Sequence, residues 1–201
     1  MDSPKLIIIG GAPATGKSVL AERVVEATGF RRISKDILKE HLFDVIEYRD
    51  REWSRELGAL SFPLFMGVVE MYLKRGESVI VDNPFIHAAD LDWFHRFEKE
   101  YGVQFIQIHL IADQSVLRQR FIQRAKTHRH PGHNDALEDV LEEFETKWFN
   151  KSFLPLPLSG KTKIVDTTDF DSVDHDSIME FILDCHPDRA HGEWRDPSVP
   201  R

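Results

Sequence analysis

A single cysteine, Cys185, stands in a chain of 201 residues. It has no partner for an intramolecular disulfide, so no covalent staple holds this fold, and the composition suits a reducing compartment. Positive charge is also in deficit. Lysine and arginine number 26 against 34 acidic residues, for a formal net charge of −8. That balance argues against a general nucleic-acid binder, although a local basic groove can hide within an acidic total. Long hydrophobic runs are missing as well. None approaches the ~18 apolar residues of a membrane span, and the opening run, Leu6 to Ile9, is too short for a signal sequence. The expectation is a soluble, cytoplasmic protein with no membrane contact and no evident obligate protein partner. There is no internal repeat.

What the chain does have is a 41% hydrophobic content, enough for one real core. One domain is expected over residues 1–185, followed by a tail, 186–201, rich in charge and proline and expected to fray.

The strongest signal lies at Leu6 to Ser18, LIIIGGAPATGKS. An apolar run ends in a glycine-rich turn that fits G-x-x-x-x-G-K-[ST], with Gly11, Gly16, Lys17 and Ser18 in register. Glycines at 11 and 16 let the backbone curl so that successive N–H groups face an anion. The helix starting near Gly16 adds the positive end of its dipole. Lys17 can reach the β- and γ-phosphates, and the Ser18 hydroxyl can ligate Mg²⁺. The expected nucleotide cradle is therefore Gly11, Ala12, Pro13, Ala14, Thr15, Gly16, Lys17, Ser18 and Val19.

Downstream, strand and helix patterns alternate. A first helix is expected from Gly16 to Thr28, stopped by Gly29. A short strand, Phe30 to Ile33, leads into a helix with Ser34 at its N-cap and an apolar stripe of Ile37, Leu38, Leu42, Val45 and Ile46. Glu47 to Glu56 is densely charged and reads as a connection or an exposed helical turn. Leu57 to Leu73 has helical period, with Pro63 expected to kink or restart it. Strands follow at Ser78 to Val81, Val103 to Ile111 and Thr162 to Val165. Helices are expected at Ala88 to Tyr101, Gln114 to Lys126, Ala136 to Phe149 and Ser172 to Leu183. Alternation of this kind implies an α/β three-layer sandwich: a five-stranded, mostly parallel sheet with helices on both faces.

Two carboxylates fall at strand ends, where ligands bind in such sheets. Asp36 follows the second strand and can face the γ-phosphate, taking a proton from an acceptor hydroxyl. A structural reading, that it merely caps the helix, competes. Asp82 ends the third strand, where an acidic residue can stand near Mg²⁺, or simply make a turn. Arg120 and Arg124 lie four apart on one helix face, and Arg129 follows in a loop. Guanidinium forks neutralise the charge that phosphoryl transfer concentrates on phosphate oxygens. Residues 114–149 therefore read as a helical lid whose arginines meet ATP on closure. Arg118 points to another face. The cluster His128, His130 and His133 surrounds a Pro-Gly turn with no cysteine near, which disfavours zinc.

Together these segments resemble the P-loop kinases that group with polynucleotide 5′-hydroxyl kinase, chloramphenicol phosphotransferase and zeta toxins. The resemblance covers roughly Lys5 to Thr168 and is carried by GAPATGKS, ISKD, VIVDN, the Arg120/Arg124 pair and RHPGH at Arg129 to His133. It implies that Asp36 serves as the base and that Arg120 and Arg124 clamp the phosphates. Where several relatives carry arginine three residues after that aspartate, this chain has Lys39, which keeps the charge and loses the fork. The expectation is an ATP- and Mg²⁺-dependent kinase acting on a small-molecule hydroxyl, with Lys17, Asp36, Arg120, Arg124 and Arg129 catalytic and Ser18 and Asp82 at the metal. Two rivals stand beside it: a polynucleotide 5′-hydroxyl kinase, and a regulatory NTPase without an acceptor. For the latter, a guanine-specifying N-K-x-D is missing, since Asn150-Lys151 is followed by Ser152 and Phe153.

Overall fold

The computed structural model describes residues 3–46, 49–86, 89–127, 130, 141, 142, 145, 146 and 153–183. Five strands, β1 (Lys5–Gly11), β2 (Arg31–Ile33), β3 (Val79–Asp82), β4 (Gln104–Ile111) and β5 (Lys161–Asp166), form one sheet in the order β2-β3-β1-β4-β5. Every pairing is parallel. The helices packed around the sheet are α1 (Lys17–Thr28), α2 (Lys35–Val45), α3 (Arg51–Leu73), α4 (Asp90–Tyr101), α5 (Gln114–Thr127) and α6 (His175–Leu183). Parallel strands need crossover connections, so the helices end up on the sheet faces and the central strands become apolar throughout.

Alternation along β1 divides the core. Ile7 and Ile9 pack with Leu20, Ala21 and Val24 of α1 and with Ile178 and Ile182 of α6. Leu6 and Ile8 face the other way, toward Phe65, Met66, Val69 and Leu73 of α3 and Phe94 and Phe97 of α4. β1 leads to β2 by skipping over β3, whereas β4 lies on its opposite side. That reversal opens a crevice beyond the carboxyl end of β1, where the P-loop sits.

Of the two readings of the charged stretch before Leu57, the helical one holds from Arg51 onward, and α3 runs as one helix through Pro63 to Leu73 without restarting at the proline. The Asp50 side chain caps it by accepting from the Trp53 amide at 2.8 Å, a signature hidden among the surrounding charges. By length and composition, Glu52–Leu73 also meets the test for a membrane-crossing helix. Ser61, Pro63 and Glu70 interrupt it, so it contains no long uninterrupted apolar run. Here α3 lies against the sheet as a core helix, with Phe65, Met66, Val69 and Leu73 fully buried.

The last helix begins at His175, after a 3-10 turn at Phe170–Ser172, rather than at Ser172 itself. Of the acidic helix expected at 136–149, residues 141, 142, 145 and 146 are described and helical. The tail 186–201 lies outside the described residues.

Candidate active site

Two glycines make the turn between β1 and α1 possible. Gly11 has φ 123°, and a Cβ there would stand 2.2 Å from the Leu110 carbonyl oxygen. At Gly16, with φ 91°, a Cβ would meet the Phe170 ring at 2.4 Å. Any side chain at either position would force the loop out of its cradle. Ala14 adds a non-glycine residue at φ 67°, a left-handed backbone that costs energy and marks functional turns. Within the loop the Lys17 ammonium donates to the Ala12 carbonyl at 2.7 Å, and the Thr15 hydroxyl donates to the same oxygen at 2.8 Å. The cationic head is thus folded back over the cradle.

Charges converge on that head. The Lys17 pKa falls to about 8 in all: desolvation lowers it most and the Arg124 guanidinium adds to that, while Asp36 and Asp82 pull it back up. Four residues from α1, α2, β3 and α5 therefore share one electrostatic neighbourhood. Asp36 reaches it from the first turn of α2, where the helix dipole favours a carboxylate. Ser34 takes the N-cap position, but its side chain makes no capping bond.

Asp82 is nearly buried, and one of its oxygens is heavily used. Oδ2 accepts from the Ser18 hydroxyl at 3.1 Å and from Arg32 Nη2 at 2.6 Å. Arg32 also pairs with Glu22. Ser18 and Glu22 are one turn apart on α1, so Ser18, Asp82, Arg32 and Glu22 close a ring that pins α1 to β2 and β3. The other oxygen, Asp82 Oδ1, is buried with no hydrogen-bond partner among the described residues. The sequence reading missed Arg32. Its only signal was a basic residue on a strand whose neighbour in the sheet ends in an acid, and that neighbour cannot be known before the strand order is.

The lid arginines separate. Arg120 Nη1 and Nη2 donate to the carbonyls of Thr167 and Thr168 at 2.8 and 3.1 Å. The Thr167 hydroxyl in turn donates to the Thr15 and Ile111 carbonyls, each at 2.9 Å. Arg120 thus ties α5 to the loop after β5, and that loop to the P-loop. Arg124 sits over the Phe121 ring at 5.9 Å, with its charge felt at Lys17. Arg118 pairs with Glu145 at 2.9 Å on the exposed side. Arg129, His128 and His133 lie outside the described residues. His130 meets α2, with Nε2 3.1 Å from Asp44 Oδ1 and its ring stacked on Phe43. Among the described residues no cluster of three metal-ligating side chains occurs.

A strap at 153–158 covers the far side of β4. The Gln107 side-chain amide exchanges two bonds with the Leu156 backbone at 2.9 and 3.0 Å. His109 Nε2 lies 3.0 Å from the Phe153 carbonyl. Burial drives the His109 pKa down to about 4, against the pull of that carbonyl and with help from the Lys17 charge. The ring is neutral at physiological pH, so Nε2 carries the proton it donates.

The AAA domain profile matches residues 6–146, a span that includes the P-loop, Asp36, Asp82, Arg120 and Arg124. The chain belongs to the AAA domain family. A candidate kinase from Chloroflexus aurantiacus J-10-fl is similar to this AAA-domain chain at 33% identity and TM-score 0.81, covering 90% of this chain and 97% of that one. A sugar kinase from Janibacter sp. HTCC2649 shares the fold at 14% identity and TM-score 0.55, over 90% and 93% of the two chains. The tunicamycin resistance protein of Deinococcus radiodurans does so at 17% and 0.51, over 90% and 94%. No curated protein matches. The fold is that of the P-loop kinases.

Proposed function

We propose that this chain is an ATP- and Mg²⁺-dependent kinase that transfers the γ-phosphoryl group of ATP to a hydroxyl of a small molecule. The observation that carries the reading is the convergence of Lys17, Asp36, Asp82 and Arg124 on one neighbourhood at the mouth of the P-loop. A binding-only NTPase needs the first and third of these. A carboxylate and an arginine that both act on the Lys17 head are what transfer to a hydroxyl acceptor would call for.

Each residue has a distinct task. The loop amides and Lys17 hold the phosphates, with the ammonium turning from the Ala12 carbonyl to the anion. Asp36 accepts the proton of the acceptor hydroxyl. Arg124 places its fork on the transferred group, while Arg120 keeps the loop after β5 against the P-loop. Arg129 belongs to the same lid on sequence grounds.

The residues fit Mg²⁺, a hard cation that takes oxygen ligands. Asp82 Oδ1 is a buried acceptor without a hydrogen-bond partner among the described residues. The Ser18 proton is committed to Oδ2, which leaves the hydroxyl lone pairs for a cation. When bound, Mg²⁺ neutralises charge on the β- and γ-oxygens. Ser18 would ligate it, and Asp82 would hold it directly or through water.

Calorimetry with MgATP tests the anchor. Lys17→Ala removes a charge-assisted bond worth about 1.5–3 kcal/mol, so nucleotide affinity should fall by roughly 10- to 100-fold. The pH profile provides a second check. Since Lys17 loses its proton near pH 8 in the free protein, wild-type affinity should be flat below that pH and decline above it. In Lys17→Ala the decline should vanish. Equal affinities for the two proteins at pH 7 would remove the site.

Arg32 supplies a separate expectation. Supporting residues around metal sites are worth roughly 10–100-fold in metal affinity. Arg32→Ala should therefore raise the Mg²⁺ concentration needed to tighten ADP binding by that factor, with ADP affinity in EDTA unchanged. Lysine at 32 should rescue in part, because it cannot bridge Asp82 and Glu22 with a planar fork. An unchanged Mg²⁺ titration would make the ring a purely structural clasp.

A further inference from the structure

Helix α3 is apolar on two opposite faces. One faces the sheet through Phe65, Met66, Val69 and Leu73. The other carries Leu60, Leu64 and Met71, which are 61%, 57% and 56% exposed. With Gly67 these residues repeat at spacings of four, three and four, the seam of a helix that packs on another helix. A surface helix normally shows charge on its outer side. Between Leu57 and Leu73 the one charged residue is Glu70, and it is committed to Arg96 at 3.1 Å and Tyr101 at 2.7 Å, with Lys74 at 3.3 Å. The seam itself bears no charge over about 17 Å.

Gly67 adds an independent observation. Glycine inside a helix costs about 1 kcal/mol relative to alanine. A Cβ at 67 would meet nothing within 4 Å, so no contact among the described residues calls for glycine there. A neighbour approaching from outside would.

We propose that this face docks a second copy of the chain, α3 against α3, antiparallel about a two-fold axis between residues 65 and 66. The register follows from size and charge. Around that axis Leu64 lies opposite Gly67, large against small, and Leu60 lies opposite Met71. The same register brings Glu56 of each copy opposite Arg75 of the other. Both are exposed, and neither makes an ion pair among the described residues. A parallel pairing would set Glu56 on Glu56 and Arg75 on Arg75, with like charges together. The pattern is self-complementary in the antiparallel sense alone, as a two-fold interface requires. With a seam this short the interface falls at the small end of specific contacts, so dimerisation should depend on concentration. The proposal is independent of the kinase reading.

Sedimentation velocity of the full chain across a concentration series tests it, with phosphatidylcholine vesicles as a second arm. A reversible monomer–dimer equilibrium is expected. Leu64→Glu, which buries a charge on each side of the axis, should weaken it by at least about 100-fold, with the thermal midpoint unchanged at concentrations where the parent is monomeric. Leu64→Gln gives the same test with a neutral side chain should the glutamate variant fold poorly. Glu56→Arg alone should weaken the dimer by about tenfold, and the Glu56→Arg/Arg75→Glu double swap should restore it. A monomer at every concentration, a dimer indifferent to Leu64→Glu, or a double swap no better than the single one would overturn the proposal. So would Leu64-dependent vesicle binding without dimerisation.

Discussion

Truncating Arg124 to alanine is expected to cut turnover by roughly 10³–10⁵-fold, the worth of an arginine that meets transferring phosphoryl charge. The Michaelis constant for ATP should change far less. That split follows from what the group contacts: ground-state phosphates already have Lys17 and the loop amides, whereas charge on the migrating group develops only in the transition state. Lysine at 124 should recover part of the loss, since a point charge cannot fork between two oxygens. Arg118 is the internal control. It lies on the same helix, paired with Glu145 and half exposed, and Arg118→Ala should leave turnover close to that of the parent. If Arg124→Ala and Arg118→Ala both behave like the parent in steady-state assays, α5 is an ordinary basic surface.

Asp36→Asn should lower transfer by roughly 10²–10⁴-fold, the usual contribution of a positioned general base, and leave MgATP affinity largely intact. Asparagine keeps the size and the hydrogen-bonding reach of aspartate at the first turn of α2, and removes only the proton acceptor. Calorimetry and turnover must be measured on the same preparation. Loss of MgATP affinity together with turnover would move Asp36 from the acceptor to the metal or to the fold.

These residues differ in how far the sequence alone could place them. The P-loop was legible because its chemistry is local: four fixed positions in eight residues, preceded by a strand and followed by a helix. Asp36 and Asp82 were legible as carboxylates at strand ends, and the strand order then brought both ends toward Lys17. Arg32 was not, because its role depends on β2 lying beside β3, a pairing between residues fifty apart. Arg120 and Arg124 looked alike on a helical wheel. Their different environments come from the Thr167 and Thr168 carbonyls, which belong to a loop forty-seven residues further on. The start of α3 was obscured for a different reason. Charge density between Glu47 and Glu56 fitted a connection as well as an exposed helical turn, while the Asp50 cap that decides the matter is a single side chain. Pro63 likewise did not end the helix, since burial of Phe65, Met66, Val69 and Leu73 on the sheet outweighs one lost backbone bond.

The most direct measurement incubates the purified chain with ATP and Mg²⁺ against pooled metabolites and an oligonucleotide with a free 5′-hydroxyl, followed by mass spectrometry of every component. One small hydroxyl compound should gain a single phosphoryl group in step with ADP formation, and Asp36→Asn should suppress that gain. ADP formed with no component gaining mass would contradict a kinase altogether, and phosphorylation of the oligonucleotide alone would contradict a small-molecule acceptor.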